Sequence, residues 1–160
     1  MPLNLGRKSC SEFHLMIKIK ESSNNQIIIK PNFVNMKALE TRTDIEELVN
    51  KFYDKVVIDD QIGFFFTDIA QIDLKKHLPK MYNFWESILL GNPVYDGNPM
   101  RVHFPLNQVV ALEEHHFDRW LTLWQQTLEE NFEGENVATA ILRAQNIARI
   151  MSHKMKIARS

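Results

Sequence analysis

From Thr43 onward the apolar residues of this chain recur every three or four positions, block after block, and almost nowhere alternate. That period commits the chain to helices that each bury one face, and it leaves little room for a sheet. In the first block Ile45, Leu48, Val49, Phe52, Tyr53, Val56 and Val57 fall on one side. Thr43-Asp44-Ile45-Glu46 fits a capping box, in which the Thr43 hydroxyl and the Glu46 carboxylate satisfy free amides reciprocally. Gly63 closes a turn before Phe64-Phe65-Phe66; three successive aromatics cannot share one direction, so at least one should enter the core. A second block, from about Leu74 to Leu90, aligns Leu74, Leu78, Met81, Trp85, Ile88 and Leu89. His77 lies at the edge of that face, and Pro79 should kink the helix or mark a restart. Asn98-Pro99 has the form of a helix start, and Pro105 limits that helix to little more than a turn or two. A third block, about Glu113 to Phe132, aligns Phe117, Trp120, Leu121, Trp124 and Leu128. Gly134 breaks it, and a fourth runs from Glu135 to about Lys156 with Val137, Ile141, Ala144, Ile147, Ala148, Met151 and Met155 on one face. The expectation is an all-α domain closed by two long helices.

Residues 1–35 have a different character, with Ser, Asn and Lys around the run Gln26-Ile27-Ile28-Ile29. That run reads as a strand whose nearest partner is Leu15 to Ile19, and a lone hairpin of this kind is marginal in water. Met36 suits a natural start, with residues 1–35 an upstream extension; a genuine tail is the alternative. The division expected is an extension over 1–42 with little order of its own, a domain over 43–157 and a tail over 158–160. A chain of 160 residues supplies one domain with a real core. The single cysteine, Cys10, rules out an intrachain disulfide and speaks against a thiolate zinc site, so a reducing cytoplasm is the simplest compartment. A net charge of −1 gives no broad attraction to nucleic acid or to an anionic membrane. No apolar run approaches the roughly 20 residues of a membrane span, and Phe13 to Ile17 is too short for a signal-peptide core.

His103 stands three residues after Met100 and beside Phe104, and His77 stands on another helix. Two histidines on separate helices, each bordered by large apolar side chains, suit a buried haem, one imidazole on the iron and one guarding the opposite face. Taken singly, a histidine in such a place is ordinarily a core or surface side chain. Tyr53 lies deep in its apolar face, and a buried phenol needs a hydrogen-bond partner. Trp120, mid-face on its helix, carries an indole that only donates. Core packing is the default for each. His115, His116 and His153 should face solvent, and His14 lies in the extension. Glu113-Glu114 and Glu129-Glu130 look like solvated helix ends, and neither a Gly-rich phosphate loop nor a nucleophile–base motif is visible.

The segments Lys51-Phe52-Tyr53-Asp54-Lys55-Val56, His77-Leu78-Pro79-Lys80-Met81-Tyr82-Asn83-Phe84-Trp85 and Leu89-Leu90-Gly91 occur in order. They are followed by Tyr95-Asp96-Gly97-Asn98-Pro99-Met100 with His103, and by His116-Phe117-Asp118-Arg119-Trp120-Leu121. Jointly, from Thr43 to about Ile157, they resemble the truncated haemoglobins, specifically the third group of that family. The resemblance implies a two-over-two helical sandwich around haem b. It implies His103 as the proximal iron ligand, and Tyr53, His77 and Trp120 as the distal groups that stabilise a bound ligand. Phe52, Phe66, Leu74, His77, Met81, Trp85, Met100, His103 and Trp120 are then the haem-contacting set. Arg101 and Arg119 are candidates to meet the propionates. The family tolerates proline at the place of Pro79, and the glycine pairs of other truncated-globin groups are missing, in keeping with the third.

The function so implied is binding of dioxygen, nitric oxide or another diatomic gas at a penta- or hexacoordinate iron. Three donors around the ligand favour oxygen and nitric oxide chemistry over oxygen transport. Turnover as a nitric oxide dioxygenase or a peroxidase needs an external reductant, and the chain carries no flavin or nicotinamide motif, so a separate reductase is implied. The competing reading is a haem-free helical module for protein interaction or sensing, in which His103 and Tyr53 are ordinary core residues.

Overall fold

A computed structural model describes residues 36–160. Its helices are α1 (Arg42–Val56), a short π-helical turn (Phe65–Ile69), α2 (Leu74–Leu89), α3 (Pro99–Val109), α4 (Glu114–Asn131) and α5 (Glu135–Ile157). α1 packs on α2 and α4 on α5, while α1 also meets α4 and α2 meets α5. Two helix pairs therefore lie one over the other, the two-over-two arrangement expected. Leu48, Val49, Phe52 and Val56 of α1, Trp124 and Leu128 of α4, and Ala140, Ala144 and Met155 of α5 fill the middle. Ala140, Ala144 and Ala148, four apart, give α5 a strip of low relief, and the Trp124 indole donates to the Ala140 carbonyl at 3.4 Å. Of the aromatic triplet, Phe65 enters the core, with Phe64 stacked on it at 4.2 Å.

Two expected boundaries move. The cap of α1 is Thr41, not Thr43: its hydroxyl accepts from the Asp44 amide at 3.3 Å, and the Asp44 carboxylate accepts from the Thr41 amide at 2.8 Å. The sequence offers the same spacing twice, Thr41 to Asp44 and Thr43 to Glu46. The first wins because Asp44 is buried and has a cation, Lys37, at 2.7 Å. Burial alone would raise the Asp44 carboxyl; Lys37, Thr41 and two backbone amides outweigh it and hold the group well below the usual carboxylate range. The second correction is α3, which runs for 11 residues straight through Pro105. Proline removes one donor, not the helix, when both ends are held from outside. Asn98 holds the start, its side-chain oxygen accepting the Met100 amide at 3.0 Å.

The packed body also begins before Thr43. A two-residue strand β1 (Lys37–Ala38) pairs in parallel with β2 (Phe132–Glu133), Lys37 opposite Phe132 and Ala38 opposite Glu133. Leu39 is 1% exposed, and its carbonyl accepts from Asn136 at 2.7 Å. Strands this short have no alternation to read. The hairpin considered for residues 15–29, Cys10 and His14 all lie outside the described residues.

Candidate functional site

Tyr53 projects from the buried face of α1, and His77 stands in the first half of α2, after the Asp73 side chain has capped that helix at Lys75. The Tyr53 hydroxyl and His77 Nε2 are 2.8 Å apart, a hydrogen bond between helices. Phe66, from the π-helical turn, meets the Tyr53 ring edge-on at 5.8 Å, and Phe52 does so at 5.3 Å. Burial pushes the Tyr53 phenol far up, so it keeps its proton. Burial, with Lys80 and His103 adding to it, pushes His77 down to about 4. At neutral pH the pair is a neutral phenol against a neutral imidazole.

His103 stands on α3, one turn after its start. Its Nδ1 lies 2.7 Å from the Pro99 carbonyl, so Nδ1 carries the hydrogen and donates it. Burial depresses the His103 imidazole, and the Pro99 carbonyl partly opposes that. A neutral ring with Nδ1 engaged leaves the Nε2 lone pair free, which is the form a histidine takes as an iron ligand. His103 and His77 are near enough that a charge on the first depresses the second. The loop before α3 is shaped by Gly97: a Cβ there would come within 2.4 Å of the Tyr95 ring, which meets Phe84 of α2 edge-on at 5.1 Å.

Trp120 is half-buried on α4, its indole parallel to that of Trp124 at 5.9 Å, and Phe52 is edge-on to both at 5.5 and 5.0 Å. Trp124 stacks in turn on Trp85 at 4.1 Å. The expected haem-contacting set therefore divides. Phe66, Leu74, His77, Met81, Met100, His103 and Trp120 are half-buried at the edge of the core, joined by Leu78, Leu106 and Phe117. Phe52 and Trp85 are inside it and support the others from behind. α2 is amphipathic over 16 residues yet fully buries only Trp85 and Glu86, so its apolar face borders the site rather than filling the core. A flat apolar group with one coordinating metal suits this donor set: one free imidazole nitrogen on α3, neutral polar groups on α1 and α2, and half-buried aliphatic and aromatic walls. Two shallow grooves, of about 270 Å³ along α5 and about 390 Å³ between α5 and the Ser87–Ile88 turn of α2, share none of these residues.

Several participants escaped the sequence reading. Trp124 looked like one core residue among many, and nothing in its spacing marks it as the plate on which Trp120 rests. Pro99 supplies the His103 acceptor through its backbone, which no side-chain pattern reveals. Arg119, considered for the propionates, is committed to Asp59, with Nε and Nη2 donating at 2.8 and 2.7 Å. His116 is half-buried instead of solvent-facing: its Nδ1 accepts from the Glu113 amide at 3.0 Å and its ring meets Phe65 edge-on at 4.8 Å. Among the described residues no cluster of three or more His, Cys, Asp or Glu is placed to hold a bare metal ion, and no helix is long and apolar enough to cross a membrane.

A family model for bacterial-like globins matches residues 37–156. The group 3 truncated haemoglobin Ctb of Campylobacter jejuni is 32% identical over 107 residues, 65% of this chain and 82% of its own length. The crystal structure of the group III truncated haemoglobin from Campylobacter jejuni superposes with a TM-score of 0.66 at 31% identity, over 75% of this chain and 95% of that one. The structure of Chlamydomonas reinhardtii THB1 does so with a TM-score of 0.58 at 27% identity, over 72% and 95%.

Proposed function

This chain belongs to the bacterial-like globin family, and within it to the group III truncated haemoglobins, and from that premise we propose that it binds haem b through His103 and holds a diatomic gas against Tyr53, His77 and Trp120 for reaction rather than delivery. Haem binding with a small gaseous ligand follows from the family. The identity of the ligand donors is our reading, and the Tyr53–His77 bond of 2.8 Å, near a histidine whose Nδ1 is engaged, is the observation that carries it.

When bound, haem would supply the iron chemistry that binds and polarises a diatomic gas. The chain's part is to place donors there. The Tyr53–His77 pair has two proton arrangements. If Tyr53 donates to Nε2, its hydrogen is spent on the histidine. If Nε2–H donates to the phenol oxygen, the Tyr53 hydrogen is free for the ligand, and the histidine polarises it. The neutral imidazole can adopt either tautomer, so the ligand selects the second. Trp120 adds an indole N–H. A hydrogen bond to a charged or partly charged group contributes about 1.5–3 kcal/mol, and each 1.4 kcal/mol is tenfold in an equilibrium. Two such donors slow oxygen release by roughly two orders of magnitude.

Slow release suits retention for chemistry. One molecule each of dioxygen and nitric oxide with one electron gives one nitrate, which balances atoms and charge; the electron comes from a separate reductase in the cytoplasm. Peroxide reduction is the other reaction that the same donors suit. Stopped-flow oxygen release tests the reading. It should be slow in the native protein and faster by about tenfold or more in Tyr53→Phe or Trp120→Leu. Unchanged rates in both variants would remove the donor assignment.

A further inference from the structure

The helix that bears His103 is weakly supported by apolar packing. Only one residue of α3 is fully buried, and it is polar: Asn107, 2% exposed. Val102 and Val109 are exposed, and α5 is the main helix against which α3 rests. Pro105 also deletes the amide that would bond the Arg101 carbonyl, so the helix lacks one backbone bond across Arg101–Pro105, the turn that carries His103. What holds the far end is a polar knot. Asn107 Nδ2 donates to the Met155 carbonyl at 3.0 Å. Asn107 Oδ1 accepts from the Leu112 amide at 2.9 Å and from Arg159 Nη1 at 2.6 Å. Arg159, past the end of α5, also donates to the Leu112 carbonyl at 3.3 Å and pairs with Glu113 at 2.8 Å.

Asn107 follows His103 by four positions, one helical turn on the same side. We propose that Arg159 and Asn107 are positioning residues for the iron ligand: the guanidinium ties the end of α5 to α3 and so fixes the height and tilt of the His103 ring. The segment after α5 then sets the proximal bond instead of trailing from the domain. Asn98 and the Pro99 carbonyl define one end of the His103 turn, and the Arg159–Asn107 knot defines the other. The proposal rests on His103 as the haem ligand.

The test uses the full chain loaded with haem in the ferrous, gas-free state. In Arg159→Ala the iron–histidine stretching band in the Raman spectrum should shift and broaden. Amide exchange over residues 103–107 should quicken by about tenfold, the effect of losing one charge-assisted hydrogen bond. Arg159→Lys should restore the band in part, and Glu113→Gln, which spares the contact with Asn107, should move it less than Arg159→Ala. A band and exchange rates identical to the native protein in Arg159→Ala would overturn the proposal. Failure of the haem reading shows differently, as a native protein with no iron–histidine band at all, while exchange in the haem-free protein still reports whether Arg159 holds α3.

Discussion

Tyr53 and His77 carry opposite shifts from one cause. Burial disfavours charge, so the phenol goes up and the imidazole comes down, and both meet as neutral groups. The histidine makes acid stability measurable. Unfolded, it titrates near 6.5; folded, at about 4. Between those values the unfolded chain binds the extra proton, so its contribution is complete above about 6.5 and drains away as the pH falls toward 4. Urea unfolding of the haem-free protein should weaken across that window, and His77→Leu should flatten part of the slope. An identical slope in the variant would mean that His77 is not held neutral by the fold. Tyr53 was legible as a buried phenol in want of a partner, but its partner was not, because a pattern of spacing places a side chain on a face without saying what faces it.

Among the elements, α3 shows best what periodicity misses. Asn98-Pro99 announced its start, and Pro105 argued for an early stop that the structure overrules. The reason is tertiary: Asn98 caps one end and Asn107 is bound at the other, so one missing amide is tolerated. Asn98→Ala should therefore cost about 1 kcal/mol of stability, the usual loss of a cap, and should speed haem loss because the Pro99 carbonyl is no longer fixed. Haem transfer to an acceptor globin, followed by absorbance, checks this; an unchanged transfer rate would put the support of His103 elsewhere. The faces of α1, α4 and α5 were readable because each is long and buries a complete stripe. The shift of the α1 cap from Thr43 to Thr41 was not readable, since Lys37, which settles it, belongs to a segment with no helical period.

At the scale of the whole molecule, two helix pairs enclose an aromatic column from Trp85 through Trp124 to Trp120, and the site sits at its edge. Residues 37–41 join this body through the β1–β2 pair and the buried Leu39. Leu39→Ala should cost about 2–5 kcal/mol, the range for emptying a buried leucine, although a reading from periodicity leaves this residue outside the domain. A denaturation midpoint equal to that of the native protein would return the segment to the extension. The two-over-two fold was legible from four helical blocks and a family resemblance; the knot at Asn107 and Arg159 was not, because its parts lie 52 positions apart. One proposed bond, from His103 to the iron, underlies the chemistry. Purified protein supplied with haemin should show a Soret band whose ferrous form gives the spectrum of a histidine-ligated haem, and His103→Ala should abolish that signature while the helical circular dichroism persists. A folded native protein that takes up no haemin, or a His103→Ala variant with an unaltered spectrum, would contradict it.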